Sequence, residues 1–110
     1  MRKKILYFSL IVLASCTASK KTASIEAALT QADADRAAIK FPGTTLASLK
    51  EGQLRYEENC GKCHGLKSVN WGDEAAWREI IPPMAEKAEI DGVTQDLITQ
   101  YLVTAATAPK

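Results

Sequence analysis

The sequence is poor in the side chains that carry chemistry. Its 110 residues include only 3 cysteines, 2 methionines and 1 histidine. No separate set of residues offers acid–base or nucleophilic catalysis, so we expect that the chain alone is not an enzyme. The 14 basic residues barely exceed the 13 acidic ones, which excludes the strong basic excess of nucleic-acid-binding proteins. With 6 glycines and 4 prolines the chain is not collagen-like, and its length leaves room for one small domain.

The first residues have the layout of an export signal. Arg2, Lys3 and Lys4 precede an apolar run over residues 5–13, which is shorter than the roughly 20 apolar residues of a transmembrane helix. The run ends in Leu13-Ala14-Ser15-Cys16, which resembles the lipobox of bacterial lipoproteins. The alternatives are a soluble exported protein cut elsewhere nearby and an uncleaved anchor.

The lipobox resemblance implies a signal peptide over residues 1–15 and acylation of Cys16. The chain is then held at a membrane by its acyl chains and faces the periplasm. No acidic residue follows Cys16 directly, since Thr17 and Ala18 come next, which favours the outer membrane. Cleavage removes three basic residues and no acidic one, so the mature chain has a slight acidic excess. A partner recognised by charge would therefore bind a local charged patch and would not respond to the net charge of the chain.

A tether is predicted between the anchor and the folded domain. Residues 16–43 are rich in Ala, Lys, Ser, Thr and Asp. Within them, apolar residues at helical spacing predict a spacer helix over Ile25 to Ile39, with a thin apolar stripe that would lie loosely on the domain. Phe41-Pro42-Gly43 should end this helix.

The remaining chain shows helical periodicity and no alternating strand pattern. One helix should begin after Thr44 or Thr45 and continue into Cys60. A short helix should follow Asn70 or Asp73 and stop or kink at Pro82-Pro83. Asp91 should cap the last helix. The sequence therefore predicts an all-α fold of three or four short helices, and its core-facing residues are Leu46, Leu49, Gly52 or Gln53, Tyr56, Ala76, Trp77, Ile80, Ile81, Leu97, Ile98, Tyr101, Leu102 and Ala105.

The one cluster of reactive residues is Cys60-Gly61-Lys62-Cys63-His64. This is the C-x-x-C-H pattern of covalent haem c attachment. Two thiols at this spacing can add to the two vinyl groups of one haem, and the adjacent imidazole can then bind the iron. Export agrees with this chemistry, because the attachment takes place outside the cytoplasm.

Three other chemistries could use this motif. A structural zinc site needs four ligands, and only Cys60, Cys63 and His64 are available. A thioredoxin-like redox pair would follow a strand, and no strand is predicted. A plain disulfide between the two cysteines would leave the histidine unexplained. The motif therefore favours haem, with His64 as the proximal iron ligand.

Residues 46–102 resemble the monohaem class I c-type cytochromes. The segment 49–60, LKEGQLRYEENC, is similar to the first helix of that family, which carries a glycine and an aromatic before the motif. Tyr101-Leu102 is similar to the Tyr-Leu pair of the last helix. The resemblance implies a small cytochrome c-like domain over residues 44–107 around one covalent haem c.

The same resemblance implies how the first and last helices meet. In that family the glycine of one helix admits the aromatic of the other. Gly52 and Tyr56 should therefore pack against Ile98 and Tyr101. Only glycine lets two helix backbones approach so closely, whereas on a surface helix Gly52 would merely cost about 1 kcal/mol.

The second iron ligand is expected to be Met84. The single histidine excludes ligation by two histidines of this chain, and Met1 leaves with the signal peptide. Met84 follows Pro82-Pro83, a short loop before the final helix, where the family places its axial methionine. Otherwise Met84 fills a gap in the core, and the iron is five-coordinate or bound by lysine or water. No proline follows His64-Gly65, so the group that orients the imidazole is not evident from the sequence.

Four further residues are candidates for haem contacts. Trp71 and Trp77 could bond a propionate through their indole N–H groups, or could simply pack in the core. Arg78 and Lys67 could pair with propionates, or could be solvated. Overall the sequence predicts an electron carrier between periplasmic or membrane redox proteins. A ligand-sensing haem protein and an accessory cytochrome subunit are the alternatives.

Overall fold

A computed structural model describes residues 28–109, and over this range the chain is entirely helical. Four α-helices are present, together with a short 3₁₀ helix over Val69–Trp71. The described residues contain no strand, so the predicted all-α class is confirmed. The predicted signal peptide, Cys16 and the start of the predicted spacer helix lie outside the described residues. The helices are α1 Gln31–Lys40, α2 Leu46–Cys60, α3 Glu74–Lys87 and α4 Gly92–Ala106.

Each helix begins after a side chain that caps it. Thr30, Thr45, Asp73 and Asp91 each accept a hydrogen bond from a backbone N–H in the first turn of the helix that follows. These bonds satisfy donors that a helix start otherwise leaves without a partner. Thr45, Asp73 and Asp91 were among the predicted caps. The Thr30 cap also fixes the start of α1, so Ala28 and Leu29 are not helical although the predicted helix included them.

The centre of the fold is the contact between α2 and α4. Gly52 is buried in α2, and a methyl group added to it would overlap the carbonyl of Leu97 and lie 2.9 Å from the Cβ of Tyr101. Gly52 therefore meets Tyr101, as predicted, and it also meets the backbone of Leu97. Tyr56 and Ile98 belong to the same core cluster as Tyr101.

The third helix continues through two prolines. The sequence predicted a stop or a kink at Pro82-Pro83, but α3 extends four residues further, to Lys87. A proline has no N–H for the carbonyl four residues earlier, which here belongs to Arg78 or Glu79. All four of these residues are exposed, so water can satisfy the two carbonyls.

The first helix is packed more closely than predicted. Ala34 and Ala37 are almost fully buried and form a second core cluster with Leu49 of α2. Arg36 donates hydrogen bonds to the carbonyls of Thr104 and Thr107, at 3.3 and 3.4 Å. A cation is favourable there because the end of a helix carries partial negative charge, and the last turn of α4 has no basic residue of its own.

None of the helices described between residues 28 and 109 is long and apolar enough to cross a membrane.

Candidate functional site

A cavity of about 290 Å³ lies among α2, α3, α4 and the loop over residues 61–72. Its lining is almost wholly apolar. The cavity gathers most of the predicted site residues from three separate parts of the chain. Its chemically distinctive lining residues are Cys60, Cys63, His64, Lys67, Trp77 and Met84.

The two cysteines differ in their surroundings. Cys60 is the last residue of α2 and is partly buried, and burial raises the pKa of its thiol. Cys63 lies in the following loop and is exposed. Both are free thiols.

The imidazole of His64 is oriented by the backbone beside it. Its Nδ1–H donates to the carbonyl of Gly65 at 2.8 Å. In a neutral imidazole this bond makes Nε2 the nitrogen with the lone pair that can bind a metal. The carbonyl of Gly65 is therefore the orienting group that the sequence did not identify, and no sequence signal could have found it, because any residue supplies such a carbonyl.

Two aromatic side chains hold the loop that carries Cys63 and His64. The Tyr56 hydroxyl donates to the carbonyl of Lys67. The Trp77 indole N–H donates to the carbonyl of Val69 at 3.0 Å and is buried. The two rings meet edge to face, with their centroids 6.1 Å apart. Residues in α2 and α3 thus fix the loop over 61–72 from the core side.

The sulfur-bearing side chain of Met84 reaches the cavity from α3. Met84 is partly buried and lines the same cavity as His64. Met84 lies inside α3, because the helix continues past Pro82-Pro83, where the sequence predicted a stop or a kink. A short connection still separates it from the last helix, as expected. Ile80, one turn earlier in α3, also lines the cavity and shares the face of Met84, and Ala88 just past the end of α3 lines it as well.

The other candidate haem contacts divide into two groups. Trp77 and Lys67 line the cavity, whereas Trp71 and Arg78 do not. The Arg78 guanidinium bonds Glu74 at 2.9 Å and lies over the ring of Phe41. Lys40 and Arg78 together hold the pKa of Glu74 below its ordinary value. Arg78 is thus engaged in an exposed ion pair away from the cavity.

The site does not resemble a metal centre built from protein side chains alone. Within residues 28–109, no three His, Cys, Asp or Glu side chains lie close enough together to hold a metal ion. Cys60, Cys63 and His64 therefore line the cavity without converging on one point. No family model, curated protein or solved structure matches the chain. The cavity thus brings together two thiols that can undergo addition reactions, one nitrogen ligand and one thioether, around an apolar volume.

Proposed function

We propose that this chain is an electron-transfer protein that holds one haem c in the cavity among α2, α3 and α4. The observation that carries the proposal is that one apolar cavity gathers both thiols of the C-x-x-C-H motif, its imidazole and Met84. Redox proteins in the membrane or periplasm would exchange single electrons with it. The chain would act as a carrier and not as an enzyme.

The cavity suits a haem in each of the roles that the residues would take. Cys60 and Cys63 offer free thiols for thioether bonds, the Nε2 atom of His64 would bind iron, and the sulfur of Met84 would be a second ligand. A thioether ligand is soft and uncharged, and it raises the reduction potential. When bound, the haem supplies a one-electron Fe(III)/Fe(II) couple. Trp77 and Ile81 would pack against its apolar faces.

The haem would also complete the core. The folded part of the chain is small, and small domains bury too little apolar surface to be comfortably stable. The cavity is apolar, so without the cofactor its lining would be exposed to water. We therefore propose that the apo-protein is much less stable than the protein with haem bound.

Membrane anchoring through Cys16 is a separate part of the proposal. It rests on the signal-like first 15 residues and on the lipobox-like sequence that ends at Cys16. The acyl chains would hold the domain at a bacterial membrane, facing the periplasm.

Mass spectrometry and haem staining of protein matured in a host that attaches haem c would test both parts. We expect a mass equal to polypeptide plus one haem plus lipid, with haem that survives denaturation. The double variant C60A/C63A should lose covalent haem, and C16S should lose lipid but keep haem. Wild-type protein without Soret absorbance would overturn the haem proposal, and acylation could still be present.

A ligand-binding haem is the second candidate, and the prolines of α3 favour it. Pro82 and Pro83 remove two helical hydrogen bonds from the part of α3 that leads to Met84, so this turn can open at a lower cost than an ordinary helix. Titration of the reduced protein with carbon monoxide separates the candidates. Slow, weak binding is expected for a carrier whose Met84 stays bound, and rapid, tight binding would favour sensing.

A further inference from the structure

Trp71 stands out as an exposed aromatic next to the cavity. Its side chain is 47% exposed, which is unusual for the largest apolar residue. The residue is nevertheless held firmly. It ends the 3₁₀ helix, its backbone N–H donates to the carbonyl of Ser68 at 2.9 Å, and its neighbour Val69 is buried in the core. The ring is therefore presented to solvent on a rigid support.

Two side chains that contact Trp71 also line the cavity. The ammonium of Lys67 lies 4.3 Å from the centroid of the indole, and Trp77 meets it edge to face at 5.2 Å. Trp71 itself is not part of the lining. It therefore stays at the surface when the cavity is filled, one side chain away from whatever the cavity holds.

The loop over 61–72 that carries Trp71 is basic, and exposed Asp73 follows it as the cap of α3, whereas the described residues as a whole are acidic. Residues 28–109 carry twelve acidic and eight basic side chains. The loop over 61–72 contains Lys62 and Lys67 and no acidic residue. An acidic protein would therefore be repelled by most of the surface and attracted at this loop, which selects an orientation on approach.

We propose that Trp71 and Lys67 form the docking face for an acidic electron-transfer protein. This inference rests on the proposed function and adds the kind of partner and where it binds. Tryptophan is the residue that most often dominates the energy of a protein interface, and here its conformation is already fixed before binding. The ion pairs formed by Lys67 would speed association, and burial of Trp71 would slow dissociation.

A carboxylate-terminated monolayer on gold serves as a stand-in for an acidic protein surface. Adsorption of the haem-loaded protein at low ionic strength is measured by mass uptake, and electron exchange is measured by voltammetry on the same film. We expect about ten-fold weaker adsorption for W71A and several-fold weaker adsorption for K67Q, with electron exchange slowed in parallel. The loss in K67Q should shrink as salt is added.

Matched variants on α2 serve as controls. Lys50 is an exposed lysine outside the loop, and Leu54 is 45% exposed, close to the value of Trp71. K50Q and L54A should bind like the wild type. Equal losses in K50Q and K67Q, or in L54A and W71A, would overturn the proposal. W71F keeps a ring at this position and should retain most of the binding, which separates the contact from any loss of folding.

Mass uptake and voltammetry test the docking face and the proposed electron transfer separately. A film without a redox wave would contradict electron transfer, and mass uptake would still decide whether the face binds carboxylates. A redox wave with adsorption unaffected in W71A and K67Q would overturn only the docking face. The third outcome is binding to phosphatidylglycerol vesicles that depends on Trp71, without binding to the monolayer. It would assign the face to a membrane and would also overturn the proposal of a protein partner.

Discussion

The α-carbon of Gly52 in α2 lies directly against the carbonyl of Leu97 in α4, with no room for a side chain between them. G52A should therefore force the two helices apart. Overpacking of this kind costs about 1–3 kcal/mol, and we expect at least that loss in the free energy of unfolding. Chemical denaturation of the haem-loaded protein measures it.

Gly92 offers the matched control for this substitution. It is the first residue of α4, and a methyl group added there meets nothing within 4 Å. G92A should leave the stability nearly unchanged. A G52A protein as stable as G92A would mean that the helices can separate freely, contrary to the packing described.

The role of Met84 can be read from the spectrum and the reduction potential. If its sulfur binds iron, M84A should remove the weak long-wavelength absorption band of the oxidised protein and lower the potential. It should also speed carbon monoxide binding to the reduced protein. M84L keeps the volume of the side chain without its ligand atom, so it separates ligation from packing. An unchanged band in both variants would leave Met84 as a core residue only.

Glu89 is the one non-glycine residue with positive φ between residues 28 and 109, at 55°. It follows the end of α3, where the N–H of Ile90 donates to the carbonyl of Ala85 at 3.2 Å. This left-handed turn is the position that glycine fills most often at helix ends. E89G should stabilise the protein by roughly 1 kcal/mol, because the left-handed conformation costs a residue with a Cβ about that much.

The control for Glu89 lies one turn earlier. Glu86 is an exposed residue inside α3, where glycine should cost about 1 kcal/mol. Thermal unfolding of E89G and E86G should therefore shift in opposite directions. Shifts of the same sign would show that backbone conformation does not decide the effect at residue 89.

Asp91 should make part of the stability depend on pH. Hydrogen bonds from Thr94 lower the pKa of this carboxyl below its ordinary value of 3.8. Because the folded pKa is the lower one, the stabilisation is present above the ordinary value and is lost as the pH falls through the folded pKa. Asparagine caps helices as well as aspartate does but carries no charge, so D91N isolates this contribution.

The measurement is the melting temperature of wild type and D91N across the acid range. The wild type should be the more stable at neutral pH, and its advantage should shrink as the pH falls below about 3.8. D91A should be less stable than both at neutral pH, because it has no cap. A difference between wild type and D91N that stays constant with pH would contradict the assignment.

Local signals in the sequence predicted the described fold well. Thr45, Asp73 and Asp91 cap helices because capping involves only a residue and the next three, which the sequence places side by side. The close approach at Gly52 was expected from the resemblance of residues 49–60 to the first helix of a known family, and glycine is the residue that permits such an approach. Cys60 and His64 of the motif and Met84, which the sequence singled out separately, line one cavity.

Features that depend on solvent and on distant backbone could not be predicted. Whether Pro82-Pro83 ends a helix depends on where the carbonyls of residues 78 and 79 point, and this is decided by how α3 packs. The packing of α1 relies on Ala34 and Ala37, whose small side chains give little periodic signal. Lys67 reaches the cavity, which its sequence neighbours do not indicate, whereas Arg78 pairs with Glu74, an acidic residue four positions earlier in the sequence.

The hold of Tyr56 and Trp77 on the loop has a consequence for how this sequence can change. Both side chains donate hydrogen bonds to main-chain carbonyls, of residues 67 and 69, and every amino acid has such a carbonyl. The shape of the loop is thus independent of the side chain at residue 67. Charge at this position can be gained, lost or reversed in descendants or in engineered variants while the scaffold keeps its form.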